Sequence, residues 1–166
     1  MNGETVQLIK QLERRIGKLE AQLVRQRFSG AKVYHSISQT LTNDIPTALS
    51  FDSEDIDTDS YHSGITNNSR LTAPIDGHYL VIAQAAFVSN AVGDRRLFLV
   101  INGSNQVSQN GKAATSGIVT LVNIAYMVTM ESGDYIEVQA FQNSGGNLGT
   151  QPISGRAPYF TITLLS

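Results

Sequence analysis

The chain has 166 residues, 12 basic and 14 acidic side chains, a net charge of -2 and no cysteine. That balance offers no general attraction to nucleic acid or an anionic membrane, and the lack of cysteine excludes disulfides, thiolate zinc sites and cysteine nucleophiles. No apolar run is long enough to span a bilayer and charge begins at Glu4, so neither membrane insertion nor an ordinary secretory signal peptide is expected.

The first predicted element is a helix over Thr5 to Arg27, without proline and with one glycine, Gly17. Ile9, Leu12, Ile16, Leu19 and Leu23 recur alternately three and four apart, the seam of a coiled coil. A lone helix cannot bury such a seam, so it calls for copies of itself. Isoleucine at a with leucine at d leans towards two strands. Val6 and Leu8 widen the apolar face, however, which suits a larger bundle. The run Arg15-Ile16-Gly17-Lys18-Leu19-Glu20 also has the form of a trimer-specifying signature. In it the Arg15 stem covers the core and its fork pairs with Glu20 of a neighbour. The alternative is an amphipathic helix packed on its own domain. About three heptads are marginal for an isolated coiled coil, and Gly17 costs about 1 kcal/mol relative to alanine. The rest of the chain should therefore supply most of the association energy. Residues 1–28 read as a trimerisation helix and 29–166 as one domain.

From Lys32 on, short alternating apolar runs are separated by Gly, Asn, Asp and Ser, an all-β texture. Strands are expected at Val33–Ser38, Thr47–Phe51, Arg70–Ala73, His78–Ser89, Arg95–Ile101, Ile118–Met130, Tyr135–Gln142 and Tyr159–Leu165, with a short return at Gln106–Ser108. Asn102-Gly103 signals a hairpin and Asn110-Gly111 another turn. Phe51 to Asn68 reads as a long polar segment, and Asn143 to Ser154 as a loop. Eight to ten such strands imply a sandwich or jelly roll.

The run Tyr79 to Val88 is apolar on both faces. Tyr79, Val81, Ala83, Ala85 and Phe87 form one set; Leu80, Ile82, Ala86 and Val88 form the other, interrupted only by Gln84. A half-exposed strand would alternate with polar residues. This one should be covered by its own core on one side and by a neighbouring subunit on the other.

At this strand a family resemblance becomes legible. Gly77-His78-Tyr79-Leu80-Val81-Ile82 resembles the glycine–any–tyrosine strand of the complement C1q/tumour-necrosis-factor superfamily. Ser50-Phe51-Asp52 resembles its phenylalanine-led segment, Ser132-Gly133-Asp134-Tyr135 its Gly-Asp turn, and Tyr159-Phe160-Thr161-Ile162-Thr163-Leu164 its final strand. The likeness spans roughly Ala31 to Ser166. With the N-terminal coil, it is greatest to the short C1q-like proteins of bacteria and their phages. It implies a ten-stranded jelly roll, a homotrimer around a three-fold axis, and binding rather than catalysis. Leu80, Ile82 and Tyr159 would then face the trimer axis, with ordinary core as the alternative. Tyr79, Val81, Phe87, Ile136, Val138, Phe160, Ile162 and Leu164 would fill the sandwich.

Candidate chemistry is sparse. Asp52, Glu54, Asp55, Asp57 and Asp59 cluster in the polar segment, and some relatives of the resembled family bind calcium. Asp52, Asp55, Asp57 and Asp59 are the candidate ligands, although the spacing lacks the glycine and distal glutamate of an EF-hand loop; a solvated acidic loop is the alternative. His35, His62 and His78 lack metal-ligand spacing and read as surface or interface histidines. Arg70, Arg95, Arg96 and Arg156 read as surface pairs rather than a nucleic-acid stripe. No nucleophile elbow, Walker loop or dinucleotide fingerprint occurs, so no catalytic residue and no cofactor other than calcium is expected. The loop Asn143 to Gly149, with Asn143 and Asn147, has the amide-rich character of a glycan-contacting loop; its alternative is a plain connector.

These readings combine into a homotrimeric, non-enzymatic binding protein, a phage virion or bacterial surface component located on a virion or outside the cell. Its expected partners are its own copies, a host-surface carbohydrate or protein, and other virion proteins. The alternative is a purely structural fibre or capsid-decorating trimer docked through its coil, without a ligand of its own.

Overall fold

The computed structural model describes residues 3–26, 28–153 and 158–165, with side chains described throughout except at 21–26. The seam residue Leu23 and the surface arginine Arg156 fall outside these described side chains.

Helix α1 runs Gly3–Gln26, uninterrupted at Gly17. Among the described residues twelve strands follow: β1 Gly30–Tyr34, β2 Thr40–Leu41, β3 Thr47–Ala48, β4 Ser53–Asp57, β5 Arg70–Thr72, β6 Gly77–Phe87, β7 Asp94–Ile101, β8 Asn105–Ala113, β9 Thr120–Met130, β10 Tyr135–Gln142, β11 Leu148–Gly149 and β12 Tyr159–Leu164. The first sheet has the order β4-β1-β12-β6-β9. In the second, β10 is flanked by β7 and then β8 on one side, and by β3 and β5 on the other. Ten strands therefore make the two large sheets, and β2 with β11 adds a small third one. Every pairing is antiparallel. The sheets enclose one core, in which Tyr79, Val81, Ala83, Ala85 and Phe87 of β6 face Leu97, Leu99, Ile136, Val138 and Ala140 of the second sheet. Phe51 and Phe160 meet there with ring centroids 5.6 Å apart.

Two turns show why the motifs have their composition. Asn102 and Gly103 both take positive φ, 51° and 74°, as the tight β7–β8 hairpin requires. At Gly133-Asp134, Gly133 has φ 92°, and the Asp134 carboxylate accepts the Glu131 N–H at 2.9 Å and the Asn102 amide at 2.8 Å. Asn102 Oδ1 in turn accepts the Tyr135 N–H at 3.0 Å, so the two turns brace one another.

Four expectations need correction, the first being that the segment read as a loop from Asn143 contains β11, Leu148–Gly149, paired with β2. The polar segment contains β4, an edge strand in which Glu54, Asp55 and Asp57 surround Ile56 and whose partner among the described residues is β1. Charge on an edge strand blunts pairing with foreign strands, and it also hides the strand from a hydrophobic pattern. Asn110-Gly111 is not a turn: β8 continues through it because β7 supplies the partners, Leu97 for Asn110 and Arg96 for Gly111. Strand β1 begins at Gly30, three residues earlier than expected, where a Cβ would run into the Ile162 carbonyl.

Candidate interaction site

Three surfaces carry the residues singled out in the sequence. The first is the stripe on α1. Ile9, Leu12, Ile16 and Leu19 are 41%, 48%, 53% and 57% exposed, so the helix does not spend its apolar face on its own domain. Arg15 and Glu20 are exposed along it.

The second is the outer face of the first sheet. Tyr79 and Val81 are fully buried, whereas Leu80 and Ile82 point the other way and are half-exposed. Register extends this face across the sheet. Ile82 lies between Thr161 and Ala125, and Leu80 between Thr163 and Met127. One row further along, Gln84 lies between Tyr159 and Asn123, with Tyr34 beyond Tyr159. Met127 is 62% exposed and Leu121, on the same face, 41%. Leu80, Ile82 and Tyr159 thus share one open, largely uncharged surface, and none of them belongs to the core.

The third is the loop end opposite the entry of the chain into β1. There β6 and β7 are joined by residues 88–93, and β10 and β11 by residues 143–147. The Gln142 side chain, fully buried, ties this end together. Its amide nitrogen donates to the carbonyls of Leu41 at 3.1 Å and Gly146 at 2.9 Å, and its oxygen accepts the Ser144 N–H and hydroxyl. Asn143 Oδ1 accepts the Asp94 N–H at 2.5 Å, and Asn43 Oδ1 accepts the Gly145 N–H at 2.7 Å. Gly93, with φ 75°, lies so close to Asn143 that no Cβ would fit. The loop is therefore braced, and the Asn143 amide oxygen is spent inside it. Asn147 is exposed.

Arg95, expected on the surface, is fully buried beside this loop end. Its guanidinium donates to the carbonyls of Val92, Asp94 and Asn90 at 3.0, 3.0 and 3.3 Å, fixing the 88–93 loop, while its Nε has no partner. Burial lowers its pKa, opposed by the nearby Asp94 charge. Arg-Arg after a turn gives no sequence signal that one of the pair points inwards; only alternation along β7 decides it. Arg96 and Arg70 do form pairs, with Asp94 at 2.8 Å and Glu137 at 3.3 Å.

The acidic candidates are held apart, each by its own partners. Asp52 accepts from the Ser36 N–H and hydroxyl and from Ser53. Asp55 pairs with Lys32 at 2.6 Å. Asp57 accepts the N–H groups of Tyr61 and His62, each at 3.0 Å. Asp59 accepts the Ser29 hydroxyl at 2.7 Å. Among the described residues no three His, Asp or Glu side chains gather in a metal-sized group.

Two histidines also differ from expectation. The His62 side chain is fully enclosed between Glu54 Oε1 at 2.7 Å and the Asn68 carbonyl at 3.2 Å. His35 is buried with Nδ1 3.8 Å from Asp52. Only His78 is exposed, against the Thr129 hydroxyl at 2.9 Å. Among the described residues no helix is long and apolar enough to cross a membrane.

The double sheet has the jelly-roll fold of solved tumour-necrosis-factor and complement C1q structures. Solved structures similar to the chain include the Eiger TNF of S. frugiperda (TM-score 0.64, 15% identity, covering 85% of this chain and 94% of that one). The globular domain of zebrafish complement 1qA matches with TM-score 0.60 and 13% identity over 83% of this chain and 98% of that domain. Murine APRIL matches with TM-score 0.66 and 11% identity over 84% of this chain and all of that one. No family profile matches the sequence. An uncharacterized protein, L688, of Acanthamoeba polyphaga mimivirus is 34% identical over 95 residues, covering 52% of this chain and 40% of that protein. The match therefore spans well under half of that relative's length.

Proposed function

We propose that the chain is a homotrimeric, non-enzymatic binding protein of a phage virion or bacterial surface, which recognises a carbohydrate or protein on a host cell. The observation that carries this reading is the pairing of two open apolar surfaces on one protomer, the α1 stripe and the Leu80–Ile82 face. Three parallel copies would cover both at once, with Arg15 reaching Glu20 of the next helix. The likeness to TNF and C1q structures supports the jelly-roll part of the argument. Three equivalent sites on one particle convert weak single contacts into firm attachment. The absence of a recognised catalytic motif in the sequence favours binding over chemistry.

The labelled 166-residue chain mixed with candidate host cells tests the proposal. Saturable attachment, displaced by unlabelled protein, is expected. Attachment to virions without attachment to any cell would favour the structural fibre or decoration trimer instead.

A further inference from the structure

The outer face of the second sheet is built differently from that of the first. In one row across it stand Gln139 of β10, Phe98 of β7 and Gln109 of β8; in the next stand Phe141, Arg96 and Gly111. The Phe98 and Phe141 rings are half-exposed, 6.3 Å apart and 73° to one another, so they form a step rather than a stack. The Arg96 guanidinium lies 5.6 Å from the Phe141 ring centre. Its stem crosses Gly111, where a Cβ would come within 2.9 Å of the arginine chain.

The charges of this face cancel within it. Arg96 is paired with Asp94 at 2.8 Å. Towards the other end of the sheet, Arg70 lies 3.8 Å over the Tyr135 ring and donates to Glu137, which also accepts the Ser69 hydroxyl at 2.6 Å. The Gln109 and Gln139 amides, by contrast, make no hydrogen bond among the described residues, although they flank Phe98 on both sides. Each carries a donor and an acceptor on an accessible side chain.

Apolar rings, unused amides and balanced charge select a partner. A wholly apolar partner would strand both amides away from water, at an unfavourable cost for each. An anion would find both guanidinium groups already engaged. An uncharged sugar presents what remains: C–H faces for the rings and hydroxyl pairs for a donor and an acceptor together. We propose that this face binds an uncharged oligosaccharide, its C–H surface on Phe98 and Phe141 and its hydroxyls on Gln109 and Gln139. The inference rests on the host-binding reading above and names its ligand class. It also moves the contact away from the Asn143 loop, whose polar groups are largely spent on one another. The face is turned away from the Leu80–Ile82 surface and stays free when copies cover that surface. A flat site binds weakly, and three sites per particle offset this.

The test uses the full chain on an array of uncharged oligosaccharides of glucose, galactose, mannose and N-acetylglucosamine, with sialylated and uronic-acid counterparts. Signal on uncharged glycans is expected, and titration of the bound glycan then gives the affinity. Gln109→Ala and Gln139→Ala should each weaken binding about tenfold, the scale of one lost hydrogen bond. Their melting temperatures should not change, because neither amide is used in the fold. Phe98→Ala should abolish binding. If the parent binds sugars and the two glutamine variants bind equally well, this site is overturned while the host-binding reading stands. A response to acidic glycans alone, or no glycan response with protease-sensitive binding to cells, also overturns it in favour of another partner. No response to glycans or to any cell removes both readings.

Discussion

Leu80 of β6 sits directly beside Met127 of β9 on the outer face of the first sheet, while its chain neighbours Tyr79 and Val81 are fully buried on the inner face. One strand thus serves two apolar environments, of which the protomer fills only one. Burying a leucine completely is worth about 1.5–3 kcal/mol over leaving it exposed, and in a trimer this gain recurs in every copy. Leu80→Glu should therefore leave the β-sheet circular-dichroism spectrum intact and yield a monomer in sedimentation velocity. Val81→Glu, one residue away, should fail to fold, because it puts an unpaired charge in the core. Identical behaviour of the two variants would mean that the faces do not differ.

Gln142 connects three chain segments at the loop end through Leu41, Ser144 and Gly146. Gln142→Ala removes every one of these bonds; the Gly146 carbonyl keeps the Ser144 hydroxyl, so the buried group that loses its side-chain partner is the Leu41 carbonyl. At 1–3 kcal/mol for an unsatisfied buried group, a loss of about 1–3 kcal/mol is expected in chemical denaturation. Amide exchange at Ser144 and Gly145 should quicken first. An unchanged denaturation midpoint would show that water replaces these bonds without cost.

Acid sensitivity should come from two carboxylates. The Asn102 amide, then the Glu131 N–H, hold Asp134 below the usual carboxylate value. Burial pushes Asp52 up, but hydrogen bonds from Ser36 and Ser53 and the charge of His35 outweigh it, leaving it lowered as well. Groups lowered in the folded state bind protons more readily when unfolded. Their contribution is complete above the unfolded carboxylate value of about 4 and drains away as the pH falls through the folded values. Thermal midpoints should be level from pH 7 to 5 and decline below about pH 4. Asp134→Asn should lower the midpoint at neutral pH and flatten the acid decline. An equally steep decline in that variant would assign it to other groups.

The separate engagement of Asp52, Asp55, Asp57 and Asp59 bears on calcium. An ion present at a hundred times its Kd would stabilise the fold by about 2.7 kcal/mol, a shift of several degrees in a chain of this size. The melting temperature should be the same with millimolar calcium and with chelator. A clear rise with calcium would show that these carboxylates rearrange to converge.

Much of the fold was legible where one residue type served one purpose. The two-sided run from Tyr79, the Asn102-Gly103 hairpin and the Gly133-Asp134 turn each have a local physical cause, so they can be read without partners. Strand β4 was not legible, since its identity depends on hydrogen bonds to β1 rather than on an apolar pattern. The same holds for β8, which passes through Asn110-Gly111 on the strength of its pairing with β7. Arg95 and His62 look like surface residues in the sequence and are enclosed in the fold, where the carbonyls of Asn90, Val92 and Asp94 hold the one, and Glu54 of β4 with the Asn68 carbonyl holds the other. Phe98 and Phe141 carry no signal in the sequence, since only the register of β7 against β10 puts them side by side on the outside.

The most direct test of the central claim is the mass of the 166-residue chain by light scattering after gel filtration. Three copies of 18.0 kDa, a particle of about 54 kDa, are predicted. A particle of one or two copies would contradict the account, because the α1 stripe and the Leu80–Ile82 face would then lack the coverage inferred for them.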